Sequence, residues 1–116
     1  MVYGLYQALS LILEEGPEKV FQRHKENHLA LVKGLKELGI EMLVEEPYRL
    51  PMLNAASIPS GIDELSVRRR LRNDFKIEIG GGLGLLAGKV WRIGLMGYTS
   101  KKENVDRLLA ALKEVL

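Results

Sequence analysis

The feature that most restricts the fold is the order in which helix-like and strand-like patterns follow one another. Some segments repeat apolar residues every three or four positions, as an amphipathic helix does, and shorter segments are apolar or alternating, as strands are. Their order is helix, helix, strand, strand, helix, strand, strand, helix. Because neighbouring strands have no helical crossover between them, this order predicts an α+β domain with a largely antiparallel sheet and helices packed on one face.

Two long helices are predicted on either side of Gly16-Pro17. Gly16 can adopt the left-handed conformation that ends a helix, and Pro17 suits the first turn of the next helix. The apolar face of the first helix contains Val2, Leu5, Tyr6, Leu9, Ile12 and Leu13. The second helix is predicted to reach about Leu38, with a stripe of Val20, Phe21, His24, His28, Leu31, Leu35 and Leu38. No capping side chain precedes the first helix, so we expect the chain to be cut from a longer polypeptide.

The remainder of the chain combines short strands with two further helices. Strands are predicted at residues 40–44, 52–58, 76–79 and 89–95. Asp63 is the predicted cap of a helix that reaches about Phe75, and the glycine-rich residues 80–84 are predicted to form a flexible loop. Ser100 and Glu103 have the spacing of a capping box at the start of the last helix. The inner face of that helix is predicted to contain Val105, Leu108, Leu109, Leu112 and Val115.

Composition excludes several classes of protein. The 17 basic and 15 acidic side chains give a net charge of +2. This charge is too small to attract nucleic acid or an anionic membrane strongly. The absence of cysteine removes disulfides and thiolate chemistry, and is consistent with a cytoplasmic location. No apolar stretch approaches the roughly 20 residues of a membrane span. We therefore expect a single domain over residues 1–116, without a nucleic-acid or membrane partner.

Three motifs are better explained by structure than by ligand binding. Residues 82–87 match a loose dinucleotide fingerprint, but they lead into a strand, whereas the fingerprint must open a helix that faces the pyrophosphate. His24 and His28 share one helix face without a third metal ligand, so packing between elements is the stronger interpretation. The run of arginines around Arg68 follows Glu64 by four residues, which favours a solvated helix face with an ordinary ion pair.

Arg92 is the residue whose position most suggests binding. It lies in the otherwise apolar segment VWRIGL and should share a face of the strand with Val90 and Gly94. A guanidinium there needs a partner, and its planar fork suits a carboxylate bound through two hydrogen bonds. The open alternatives are a pairing with a nearby Asp or Glu, or a side chain that reaches solvent. No group of residues in the sequence forms a catalytic unit, so we predict no catalytic residue.

Three blocks of sequence resemble the C-terminal part of the alanine–glyoxylate and serine–pyruvate aminotransferases, which are class V, fold-type-I pyridoxal-phosphate enzymes. The blocks are IEIGGGLG at residues 77–84, GKVWRIGLMG at 88–97 and ENVDR at 103–107. The opening, from Tyr3-Gly4-Leu5 through ILEEG at residues 12–16 to Arg23-His24, is also similar to that family, so the resemblance covers the whole chain in order. Gly80, which replaces a frequent methionine, and the segment 85–87 depart from the family pattern.

The resemblance implies that Arg92 binds the α-carboxylate of an amino-acid substrate. The lysine, aspartate and stacking aromatic residue that hold pyridoxal phosphate belong to the large domain of that family and have no counterpart here. The chain is therefore expected to be a C-terminal small domain that binds neither cofactor nor metal and is inactive alone. Its implied partners are the large domain, a small amino acid or 2-oxo acid, and a second subunit in a homodimer. The alternative is a free-standing domain that binds a small molecule or another protein without catalysis.

Overall fold

Four helices and a three-stranded sheet form the domain. The computed structural model describes all 116 residues. The helices are α1 (Val2–Glu15), α2 (Pro17–Glu37), α3 (Glu64–Phe75) and α4 (Lys102–Val115), and the strands are β1 (Leu53–Ser57), β2 (Gly80–Gly81) and β3 (Val90–Gly94). None of the helices combines the length and the apolar composition that a bilayer crossing requires.

The sheet is antiparallel throughout, with β3 in the middle and β1 and β2 at its edges. The register places Ala55 and Gly80 opposite Arg92, on either side of it. Side chains on β3 alternate between the two faces, so Trp91 and Ile93 face one side and Arg92 the other. The predicted α+β class with a largely antiparallel sheet is confirmed.

The core lies between one face of the sheet and helices α2, α3 and α4. Trp91 is fully buried at its centre, and Ile93 is buried beside it. The helices contribute buried residues spaced three or four positions apart, which are Leu31, Leu35, Val67, Leu71, Val105, Leu108, Ala111, Leu112 and Val115. Packing the helices on this face leaves the Arg92 face of the sheet outside the core.

Two predicted strands are wrong. Residues 40–44 contribute only one isolated bridge, between Met42 and Ala56, because the chain touches the edge of β1 and then turns away at Glu46–Tyr48. Residues 76–79 form no strand, because Lys76 adopts a left-handed conformation with φ of 57° and the N–H of Ile77 bonds back to the carbonyl of Leu71 at 3.0 Å. The chain joins the sheet only at Gly80–Gly81, inside the predicted loop.

The predicted capping box at Ser100 is also wrong. Helix α4 begins at Lys102, and no side chain caps it. The Ser100 hydroxyl is fully buried and accepts a hydrogen bond of 3.1 Å from the side-chain amide of Asn27. The hydroxyl is therefore engaged with α2, whereas the predicted cap of α3 is present, since Asp63 accepts from the backbone N–H of Ser66 at 3.3 Å.

Helix α1 has the predicted bounds but no buried residue. Its apolar side chains remain largely in solvent, with Leu5 60% and Leu13 75% exposed. The helix is held at its C-terminal end, where Glu15 and Arg23 form an ion pair of 2.6 Å. Arg23 also donates to the carbonyls of Gly97 and Ser100, each at 2.8 Å.

Candidate functional site

Arg92 projects from the middle strand on the face opposite the core. Its neighbours across the sheet, Ala55 and Gly80, have small side chains or none, so space remains beside its long side chain. A Cβ atom placed on Gly80 would lie 3.4 Å from Nη2 of Arg92. Arg92 therefore lies on the strand and the face that the sequence predicted. The flanking residues leave room for its half-buried guanidinium.

The hydrogen bonding of Arg92 leaves its outer edge available. Nε donates to the carbonyl oxygen of Gly81 at 2.7 Å. No Asp or Glu lies within ion-pair distance of Arg92, so the pairing with a local acid that the sequence left open does not occur. The two outer nitrogens, Nη1 and Nη2, have no acceptor in the chain. A planar pair of donors in this arrangement matches the two oxygens of a carboxylate.

A cavity of about 350 Å³ lies over this face of the sheet, and Arg92 lines it. Most of the wall is apolar, formed among others by Tyr48, Leu53, Leu83 and Leu86. Apolar walls lower the local dielectric, and electrostatic attraction between a guanidinium and a carboxylate is then stronger than in bulk water. The cavity combines one oriented cation with apolar surface, which suits a small organic acid.

Arg49 also lines the cavity, and the sequence analysis did not identify it. It follows the short turn at Glu46–Tyr48, and its Nε donates to the carbonyl of Val44 at 2.7 Å. The signal that could have indicated it is an arginine set among Tyr48, Leu50 and Pro51. Arg49 gives the cavity a second positive group at its edge.

The glycine segment forms one wall of the cavity and is more ordered than a flexible loop. Gly80–Gly81 pairs with β3, and the next residues enter a short turn at Gly84–Leu86. A Cβ atom on Gly82 would overlap the carbonyl of Leu86, so only glycine fits there. Because the segment continues into β3 rather than into a helix, the arrangement needed to bind a dinucleotide is absent.

The two histidines have separate structural partners. Nε2 of His24 accepts from the backbone N–H of Gly97 at 2.9 Å, which leaves Nδ1 to donate to the carbonyl of Val20 at 2.7 Å. His28 is buried and its Nδ1 lies 2.6 Å from Oδ1 of Asn54. No three His, Asp or Glu side chains of the chain form a cluster that could hold a metal ion.

The arginine run on α3 contains the ion pair that the sequence predicted. Arg68 donates from Nε and Nη2 to the two carboxylate oxygens of Glu64, at 2.7 and 3.0 Å. These hydrogen bonds hold the pKa of Glu64 below its usual value. The buried indole N–H of Trp91 lies near enough to add to this effect, but it does not reach hydrogen-bond geometry.

The lysines of the chain do not fit a pyridoxal-phosphate site. An amine that forms a Schiff base is held in a desolvated position, which lowers its pKa. No lysine here is buried, and the least exposed, Lys101, lies over the ring of Tyr98 with its Nζ 3.7 Å from the ring centroid. None of these lysines therefore has the desolvated surroundings that a Schiff-base amine requires.

Among known proteins, the chain is similar over its full length to aminotransferases. No protein-family model matches the chain. The (S)-ureidoglycine–glyoxylate transaminase of Bacillus subtilis is 45% identical over 116 residues, which are 100% of this chain and 28% of that protein. The alanine–glyoxylate aminotransferase of Oryctolagus cuniculus is 41% identical over 99% of this chain and 30% of its own length. The chain thus spans about 30% of the relatives that it matches.

A solved structure shows the same fold. The alanine–glyoxylate aminotransferase from Nostoc sp. superposes with a TM-score of 0.95 at 51% identity, covering 97% of this chain and 30% of that one. The resemblance predicted from the sequence is confirmed, and so is the small-domain α+β fold.

Proposed function

We propose that this chain, which is similar over its full length to part of the alanine–glyoxylate and ureidoglycine–glyoxylate aminotransferases, is the C-terminal small domain of an aminotransferase. In this proposal the parent protein transfers the amino group of a small amino acid, alanine or serine, to a 2-oxo acid such as glyoxylate or pyruvate. Pyridoxal phosphate belongs to a large domain, and this chain alone is inactive. The predicted cytoplasmic location stays a prediction.

The observation that carries the proposal is the free outer edge of Arg92 in an apolar cavity. Amino acids and 2-oxo acids share a carboxylate next to the reacting carbon, so one guanidinium can hold both. Fixing that carboxylate orients the reacting carbon towards groups supplied from outside this chain, which is a contribution of position rather than of bond-making.

The exposed apolar face of α1 supports a large domain as partner. Helices of water-soluble domains normally bury such a face, whereas no residue of α1 is buried. A further domain of the same polypeptide would cover it. We also propose a homodimer of the parent protein, as the resemblance implies.

Substitution of Arg92 in the full-length parent protein tests the proposal. Arg92→Lys keeps the charge but loses the two-pronged geometry, and we expect the KM for the amino acid to rise about 10- to 100-fold, the loss associated with charged hydrogen bonds. Cofactor absorbance should remain, because Arg92 does not hold the cofactor. Arg70→Lys, at an exposed position of α3, is the control. An unchanged KM in Arg92→Lys would remove Arg92 from this role.

A free-standing binding or interaction domain is the second candidate, favoured by the large exposed apolar surface. Determining the coding sequence upstream of Met1 separates the two candidates. An open reading frame that continues into a domain with a cofactor-binding lysine supports the aminotransferase, whereas a start codon at Met1 supports the binding domain.

A further inference from the structure

We infer that Gly81 is a positioning residue for Arg92 and that the Arg68–Glu64 ion pair fixes Gly81 from the opposite face of the sheet. The inference deepens the proposed function and rests on it, since it concerns how the carboxylate anchor is aimed. It assigns a role to three residues, none of which lines the cavity.

The backbone of Gly81 determines which edge of Arg92 can receive a carboxylate. A guanidinium can offer two parallel donors either from Nη1 and Nη2 or from Nε and one Nη. The carbonyl of Gly81 occupies Nε at 2.7 Å, so the side-on arrangement is blocked. The end-on edge remains, and the carboxylate must approach along the axis of the side chain.

Gly81 is held from the other side of the sheet by Arg68. A Cβ atom placed on Gly81 would lie 3.3 Å from both Cζ and Nη2 of Arg68, so the guanidinium packs directly on this glycine. A side chain at this position would displace either Arg68 or β2. The absence of a side chain is therefore what permits the close contact between α3 and β2.

Arg68 is itself immobilised by Glu64. Its two hydrogen bonds join the same edge of the guanidinium to both carboxylate oxygens, and the two side chains are only 30% and 16% exposed. An ion pair with this geometry and burial is stiffer than an ordinary surface pair. Breaking it would free the guanidinium that covers Gly81.

The two glycines of β2 thus make room for arginine side chains on opposite faces of the sheet. Gly80 leaves space for Nη2 of Arg92 on the cavity face, whereas Gly81 accommodates Arg68 on the helix face. Strand β2 is only two residues long and lies at the edge of the sheet, so its own ladder gives it little rigidity. The ion pair supplies the support that the short strand lacks.

The test measures the exchange of the Arg92 Nε–H with solvent by NMR in the 116-residue chain, without substrate or cofactor. Arg68→Ala removes the guanidinium over Gly81. Glu64→Gln keeps the shape but removes the charge and one of the two oxygens that hold Arg68. We expect Nε–H exchange to become about tenfold faster in both variants, the effect of weakening one charge-assisted hydrogen bond. Arg70→Ala is the matched control, because it removes an ion pair on the same helix, to Asp74, that is away from β2.

Backbone amide spectra establish that each variant is folded, and Glu64→Gln keeps the inference testable if Arg68→Ala unfolds. Unchanged Arg92 protection in a folded variant would overturn the inference but leave the carboxylate role of Arg92 intact. Faster exchange in both variants, together with an unchanged KM in Arg92→Lys, would support the positioning role and overturn the proposed function alone.

Discussion

At the scale of single residues, a buried hydrogen bond joins α2 to the sheet. Asn54 is 1% exposed, and its side-chain amide is directed towards the carbonyls of Ile93 and Pro51, at 3.4 and 3.5 Å. The Oδ1 atom of Asn54 is therefore the acceptor in its contact with His28. Nδ1 of His28 must then carry a proton and donate it to this oxygen. The pair fixes both the tautomer of His28 and the distance between helix and strand.

Asn54→Ala should lower the free energy of unfolding by about 1–3 kcal/mol, because it leaves the buried N–H of His28 without an acceptor. Urea denaturation followed by circular dichroism measures the change. Asn73→Ala, at an exposed position whose side chain makes no hydrogen bond, should change stability by less than about 0.5 kcal/mol. Equal stability of the two variants would show that the buried pair contributes nothing.

Alternation along one strand is a local rule, and it predicted the strand and the face of Arg92. The role of Arg92 in binding a carboxylate was implied by the resemblance and stays a prediction. Sequence reasoning could not find the contact of Arg68 with Gly81, or the place of Arg49 in the cavity wall. Both depend on how distant segments pack, and no local spacing encodes that arrangement.

At the scale of elements, the segments that the sequence predicted well are those with long periodic patterns. The bounds of α1, α2 and α3 lie close to the expected ones, since Gly16, Pro17 and Asp63 are local boundary signals. The short strands were harder. Residues 76–79 alternate as a strand does, but they reverse the direction of the chain after α3. The residues that pair with β3 are instead Gly80 and Gly81, although glycine has little strand propensity.

The attachment of α3 to the sheet should depend on pH. The pKa of Glu64 is lowered in the folded chain, mainly by the hydrogen bonds from Arg68, and the pKa of Glu15 is lowered in the same way by Arg23. A lowered folded pKa contributes stability above the unfolded value of about 4.3, and this contribution is lost as the pH falls through the folded pKa.

We therefore expect the free energy of unfolding, measured in urea between pH 6 and pH 3, to fall most steeply below about pH 4.3. Glu64→Gln should be less stable at pH 6 and should lose less on acidification. Glu114→Gln, at an exposed site without an ion-pair partner, should follow the unmodified chain. Parallel pH curves for the chain and Glu64→Gln would contradict this assignment.

At the scale of the whole molecule, the chain exposes more surface than a compact domain of its size. Its accessible surface is 8216 Å², whereas a folded monomer of 13.0 kDa is expected to expose roughly 6,300 Å². Its radius of gyration is 15.2 Å, against roughly 13 Å for a compact domain of this length. The apolar helix α1, which is not packed into the core, explains why both the accessible surface and the radius of gyration are larger than expected. The excess accessible surface is larger than the roughly 800 Å² that one partner contributes to a standard interface.

The 116-residue chain alone should consequently self-associate through α1. Light scattering across a concentration series should show a rising mass, and the double substitution of Leu5 and Leu13 to Lys should suppress the rise. Leu85→Lys changes an even more exposed leucine outside α1 and should leave association unaffected. A constant monomeric mass at high concentration would contradict the prediction.

Arg23 gives this arrangement a mechanical consequence. One guanidinium bonds to Glu15 at the end of α1 and to the carbonyls of Gly97 and Ser100, which lie 74 and 77 positions further along the chain. A rotation of α1 about Gly16 therefore strains the Glu15–Arg23 pair, which shares its guanidinium with the turn that leads into α4. The guanidinium thus joins the end of the first helix to the turn before the last helix by a route that lies outside the core.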